Sequence, residues 1–374
     1  MNKTDSRSLI TLFLCGDVMT GRGIDQILPH PGDPRIHEPF VRNSRRYVSL
    51  AEELHGLIPR PAGFSHIWGD ALGELERAAP DARIINLETA VTVSDDYWQG
   101  KGINYRMHPD NIGCITAAGI DVCTLANNHV LDWGYAGLEE TMATLRKAGI
   151  QGAGAGTNLK QAECPAVLEM PGKGRVLVFS LGSETSGIPR EWAATATRPG
   201  VNLLPDLSEK TARRVGRRIR EARLPGDVVV VSIHWGGNWG YAIPREEIGF
   251  SRRLIDEGGA DLIHGHSSHH VKGIGMYQER AIIFGCGDFI NDYEGIGGYE
   301  SFRGDLALMY LVRMDPERGA LAGLRMIPVR MRGFRLERAS TADTRWLAET
   351  LSREGRSLGT FVEAGEDGTL ELLW

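Results

Sequence analysis

The feature that most constrains this chain is a series of short, apolar, β-branched runs separated by stretches of helical periodicity. The runs are LITLFLCG (9–16), RIINLE (83–88), DVCTLAN (121–127), RVLVFSLG (175–182), DVVVVSIHWG (227–236), ADLIHG (260–265) and RAIIFGCGDF (280–289). Near-continuous apolar runs are strands buried on both faces, and intervening helices make the crossovers that parallel pairing needs. Helical apolar spacing at Leu138–Ala148, Glu209–Ala222 and Arg245–Glu257 supplies those crossovers. The sequence therefore predicts an α/β layered fold. Later runs at 306–314 and 324–331 have only a charged, Gly-containing turn between them and predict an antiparallel hairpin, with a helix over 340–355. The segment 24–64 has scattered Pro, His, Arg and Gly, and reads as an insertion over a site with one helix near Tyr47–His55. The whole chain, 1–374, reads as one domain whose C-terminal part, 306–374, carries the hairpin and that last helix.

Composition narrows the function classes. With 42% hydrophobic and 24% charged residues the chain can bury a full core. A net charge of -6 leaves no basic footprint, so neither nucleic acid nor a membrane surface is expected as a partner. The five cysteines contain no C-x-x-C and mostly sit in apolar runs, which predicts buried, reduced thiols. Only the polar MNKTDSRS precedes the first run, and the expected location is the cytoplasm.

Strand after strand ends in residues that bind metals or move protons: Asp17, Asn86 and Glu88, Asn127–Asn128–His129, His234, His264 to His270, and Asp288. In an open parallel sheet the carboxyl ends of the strands form the ligand crevice, so these groups converge. Each has a structural reading of its own. An Asp after a strand also caps helices, Asn127–Asn128 also makes a turn, and a lone His also sits hydrogen-bonded in a core. Five of the eleven histidines nonetheless fall at the ends of two neighbouring strands. The donor set mixes oxygen with imidazole and lacks a plausible thiolate, which suits a catalytic zinc, manganese, iron or calcium ion and not a closed structural zinc site.

At these residues the chain resembles the CapA branch of the calcineurin-like metallophosphoesterase fold, named for a capsule (poly-γ-glutamate) biosynthesis protein. The matching stretches run in order: GDVMTGRG (16–23), NLETAVT (86–92), NYRMHPDN (104–111), LANNHVLDWG (125–134), GAGTN (154–158), IHWGGNWG (233–240), GHSSHHVKGI (265–274) and FGCGDFIND (284–292). The resemblance implies a four-layer α/β/β/α sandwich with a metal site at the strand C-terminal ends. It implies one divalent ion (calcium, manganese or zinc) held by Glu88, Asn128, His234 and His266, and no organic cofactor. An adjoining second site would use Asp17, Glu88, His269 and a histidine where this chain has Met19.

With the second site incomplete, Asp17 with His269, and His129 with Asp132, are expected to form two acid/base pairs around one cation. The alternative for His129 and Asp132 is a cap on the helix that begins near Tyr135. Arg22, Arg106 and Lys101 are candidates for holding a substrate carboxylate, and Trp133 and Trp235 for lining a pocket. The leading expectation is a cofactor-free peptide epimerase, similar to those of lasso-peptide pathways. Its partner would be a precursor peptide, inverted at the α-carbon of a C-terminal tryptophan. The alternatives are a hydrolase of phosphoesters or peptide-like amides, and an accessory protein of poly-γ-glutamate biosynthesis.

Overall fold

The structure is a computed structural model that describes residues 9–374; residues 1–8 lie outside the described residues. Two large sheets organise those residues, one of ten strands and one of seven. In the larger sheet, Ile10–Val18 lies beside Ala82–Leu87, followed by Val122–Thr124 and Gln151–Ala153, all parallel. On its other side the antiparallel hairpin Leu306–Asp315 and Ala320–Met331 continues the sheet, and Leu370–Leu373 and Phe361–Ala364 extend it further. The second sheet has Gly174–Ser183, Val228–His234, Leu262–His266 and Arg280–Ile283 in parallel order.

Side-chain alternation turns these sheets into layers. In Ile10–Val18, residues Ile10, Leu12 and Leu14 share a core with Val228, Val230 and Leu262 of the second sheet, so the sheets pack face to face. Phe13 and Cys15 point the opposite way, into a core roofed by helices that include Asp70–Ala78 and Gly134–Lys147. Val229, Val231 and Ile233 likewise face the helices Glu209–Ala222 and Arg245–Gly258. The result is the four-layer α/β/β/α sandwich of the calcineurin-like fold. Fully burying one such aliphatic side chain stabilises the fold by roughly 2 kcal/mol. Dozens of them hold the layers together, which leaves the polar strand ends free to be arranged for chemistry.

Most helices match the sequence expectation closely, Glu209–Ala222 to the residue. The segment after the first strand forms the helices Arg22–Ile27 and Arg45–His55. It is tied into the body of the fold by the buried pairs of Arg22 with Asp292 and Glu38. Of the cysteines, Cys164 is exposed and departs from the expected burial, because it follows the short helix Leu159–Ala162 and does not lie in a strand. Among the described residues no helix is long and apolar enough to cross a membrane.

Candidate metal and acid–base site

The site forms where the inter-sheet core gives way to polar side chains. Along Val228–His234 the residues facing the other sheet are Val228, Val230, Ser232 and His234, and along Leu262–His266 they are Leu262, His264 and His266. Ser232 is paired with His264 and His234 with His266 across the two strands. From the larger sheet come Asp17 and Asn86, paired in register. Asp17 also lies in register with Asp288, because Gly16 lets the two strands approach closely: a Cβ on Gly16 would sit 1.8 Å from Gly287 O. The Asn127–Asn128–His129 turn is fixed by the Asn127 side chain. Its Oδ1 accepts from His129 N at 3.1 Å and Val130 N at 3.0 Å, and its Nδ2 donates to Leu87 O at 2.8 Å. Ser267, at φ 100°, holds a backbone conformation few non-glycine residues adopt, and its N–H donates to Asp17 Oδ2 at 3.0 Å.

Asp17, His234 and His266 each bring one ligand atom to a point where all three lie within 4.8 Å of one another. His234 Nδ1 is 2.7 Å from His266 Nδ1, while His234 Nε2 is 3.1 Å from Asn128 Oδ1 and 3.8 Å from Glu88 Oε1. A hydrogen-bond chain then fixes the tautomer of His266. Burial pushes His264 down to about 4, so its ring is neutral at pH 7. His264 Nε2–H donates to Cys15 O at 2.8 Å, because a carbonyl only accepts. Its Nδ1 must then accept from the Ser232 hydroxyl at 3.1 Å, and the Ser232 oxygen accepts from His266 Nε2–H at 2.7 Å. The remaining His266 Nδ1 is a bare lone pair aimed at His234 and Asp17, 3.5 Å from Asp17 Oδ1.

The carboxylates point the same way. Burial, and then the Asp288 charge, raise Asp17 to about 7, and burial with Asp17 and Asp288 raises Glu88 well above its ordinary value. Asn86 Nδ2 bridges the two carboxylates, at 2.7 Å from Asp17 and 3.3 Å from Glu88. Two buried carboxylates, two imidazoles kept neutral by burial and an amide oxygen fit a divalent cation. The residues that would hold it are Asp17, Glu88, Asn128, His234 and His266.

Two histidines flank this cluster. His129 Nδ1 lies 2.6 Å from Asp132 Oδ2, and its Nε2 is 3.8 Å from Glu88 Oε1. Burial drives His129 down to about 4; Asp132 offsets only part of this, and the Lys101 ammonium adds to it. Lys101 Nζ sits 2.9 Å from His129 Nδ1 and 2.7 Å from Asp132 Oδ1. His269 Nδ1 lies 2.8 Å from Asp288 Oδ1. Burial opposes its charge, but Asp288 and Asp17 outweigh burial and raise the imidazole above its ordinary value.

Several sequence expectations are corrected here. The carboxylate partner of His269 is Asp288, because both Asp17 oxygens are taken by Asn86 and Ser267 and Asp17 turns toward His266. Arg22 is not free for a substrate carboxylate: it is buried, ion-paired with Asp292 and Glu38, and stacked over Tyr47 at 3.9 Å. Arg106 is committed to Ser94 O, Asp95 and the face of Trp133, with its guanidinium carbon 3.8 Å from the ring centre. Lys101 holds a carboxylate of the protein itself, Asp132. Trp133 is buried and donates to Tyr105 O at 3.1 Å. Trp235 is buried on the helix side of the second sheet and donates to Phe284 O at 3.1 Å. Three roles have no local motif behind them: Asn86 bridges the two carboxylates, Asp288 orients His269, and Ser232 links His264 to His266.

The family model "Bacterial capsule synthesis protein PGA_cap" matches residues 11–293. A probable polyglutamine synthesis accessory protein of Mycobacterium tuberculosis is 47% identical over 98% of this chain and 96% of its own. The capsule biosynthesis protein CapA of Bacillus anthracis is 26% identical over 76% of this chain and 60% of its own. A solved phosphatase structure from Mycoplasma pneumoniae overlaps 86% of this chain and 94% of its own, at 13% identity and a TM-score of 0.47. With its strand-end motifs, its four layers and a match over most of its length, the chain belongs to the bacterial capsule synthesis protein PGA_cap family.

Proposed function

We propose that this protein is a metal-dependent hydrolase that serves the synthesis of a glutamate- or glutamine-based polymer as a cytoplasmic accessory enzyme, cutting an amide bond of that polymer. The observation that carries the reading is a pair of histidines beside one cation-binding cluster, each held by its own carboxylate: His129 Nδ1 lies 2.6 Å from Asp132 Oδ2 and His269 Nδ1 2.8 Å from Asp288 Oδ1. His129 is driven down to about 4 and is neutral at pH 7, able to take a proton at Nε2; Asp288 and Asp17 raise His269 and favour its protonated form. Two titratable groups split in this way assign themselves as base and acid. Asp17, Glu88, Asn128, His234 and His266 would hold a divalent ion, which would supply Lewis-acid polarisation when bound. His129 then takes a proton from the attacking water, Asp132 keeps its ring oriented through Nδ1, and His269 gives a proton to the departing amine. The polymer class comes from the relatives, named for polyglutamine synthesis and for capsule biosynthesis.

A second reading has one observation in its favour. A base and an acid on separate loops, His129 and His269, also serve inversion of an α-carbon in a peptide such as a precursor C-terminus, with one removing the proton and the other returning it. One incubation separates the two. Metal-loaded protein is mixed with poly-γ-glutamate or polyglutamine in heavy water, and both free amine and deuterium at the α-carbon are measured. New amine without deuterium is the expected result. Deuterium without amine moves the assignment to inversion, and neither product, with phosphate released from a phosphoester, overturns both.

A further inference from the structure

A tyrosine pair packed against the two histidines carries a hydroxyl whose proton is poorly used. Tyr293 lies on the segment that follows the strand Asp288–Ile290, and its side chain is half-buried. Its oxygen accepts from the Tyr105 hydroxyl at 2.9 Å, and its own proton is directed at Met19 Sδ, 3.4 Å away. A thioether is a weak acceptor, so this hydrogen bond gives back little of what water would. The two rings are also placed. Tyr105 meets His129 edge to face, with centroids 4.5 Å apart, and Tyr293 meets His269 in the same way at 5.3 Å. The Arg22 guanidinium, fixed by its buried ion pairs, lies 4.4 Å from the Tyr105 ring centre and backs the pair. Burial and the Asp288 charge push the Tyr293 phenol well above its ordinary value, so it keeps its proton at neutral pH.

We propose that Tyr293 is a catalytic hydrogen-bond donor, which turns its hydroxyl from Met19 to an oxygen of the bound substrate between His129 and His269. Tyr105 is the positioning residue that feeds the Tyr293 oxygen and fixes its direction. A donor held ready by its neighbours costs no reorganisation when charge develops on that oxygen, and such donors act mainly on kcat. Under the proposed amide hydrolysis, on which the substrate's identity rests, the oxygen belongs to the scissile carbonyl.

The test uses metal-loaded full-length protein with two readouts. Tyr293→Phe should lower kcat on poly-γ-glutamate by about 10²-fold, with KM changed far less and metal content unchanged. It should also weaken the binding of inorganic phosphate, an oxygen-bearing probe, measured by calorimetry. Tyr105→Phe keeps the Tyr293 proton and should show a smaller loss in both, which keeps the test open if Tyr293→Phe folds poorly. Unchanged kcat and unchanged phosphate affinity in Tyr293→Phe, or no phosphate binding by the wild type, overturns the role of Tyr293. If the wild type cleaves no amide polymer but Tyr293→Phe still loses phosphate affinity, the hydrolase reading fails and the tyrosine's role stands.

Discussion

His269 Nδ1 lies 2.8 Å from Asp288 Oδ1, while Asp17, paired in register with Asp288 on the adjacent strand, turns its oxygens to Asn86 and to the Ser267 N–H. The two carboxylates therefore have different duties, and their amides should fail differently. Asp288→Asn removes the group that orients and charges His269, and activity should fall about 10- to 100-fold with the metal retained. Asp17→Asn removes a ligand, so the metal itself should be lost. Elemental analysis beside turnover separates the two, and equal metal loss in both variants contradicts the division.

Trp235 follows the metal-cluster residue His234 directly, yet alternation sends the two side chains to opposite faces of the sheet. Trp235→Ala should cost about 3–5 kcal/mol of stability by opening a cavity under the outer helices. Metal content and KM of the folded protein should stay as they are. Denaturant titration with elemental analysis checks both halves, and a large change in KM at unchanged stability would return Trp235 to the substrate pocket.

Glu247 offers a test by pH away from the metal. It is buried in the first turn of the helix Arg245–Gly258, its Oε2 has no hydrogen-bond partner, and burial, only partly offset by Lys272, raises its carboxyl from 4.5 to about 7. Between those two values the folded state holds a proton that the unfolded state has released. Stability therefore falls as pH rises through that window and levels off above it. The full loss is about 3 kcal/mol. Glu247→Gln cannot ionise, so it should flatten the curve and be the more stable protein at pH 8. Thermal unfolding from pH 4 to pH 8 reads this directly, and parallel curves for the two proteins would place the carboxyl's titration elsewhere.

Much of this arrangement is legible in the sequence for simple reasons. A helix such as Glu209–Ala222 announces itself through its apolar stripe and through Ser208, whose side chain accepts from Thr211 N. The strands announce themselves through β-branched runs, and the site through the polar residues that end them. Period-two alternation along Val228–His234 also separates His234 from Trp235, a signal the aromatic clustering of the motif obscures. Other features need the assembled sheet. The partner of His269 depends on which strand lies beside Ile10–Val18, and Arg22 is silenced by Asp292, 270 residues away in the chain. No local pattern reveals a pairing at that separation.

In the proposed reaction one cation, held by Asp17, Glu88, Asn128, His234 and His266, works with His129 and His269 on an amide. The most direct test strips the protein with chelator, reloads it stepwise with manganese or zinc, and follows amine release from poly-γ-glutamate against bound metal. The expected result is a folded, inactive apo-protein whose activity rises linearly and saturates at about one ion per chain, with His234→Ala neither binding nor recovering; a ligand on a strand end carries little of the core. Full cleavage by the stripped protein, or saturation only at about two ions, would contradict it.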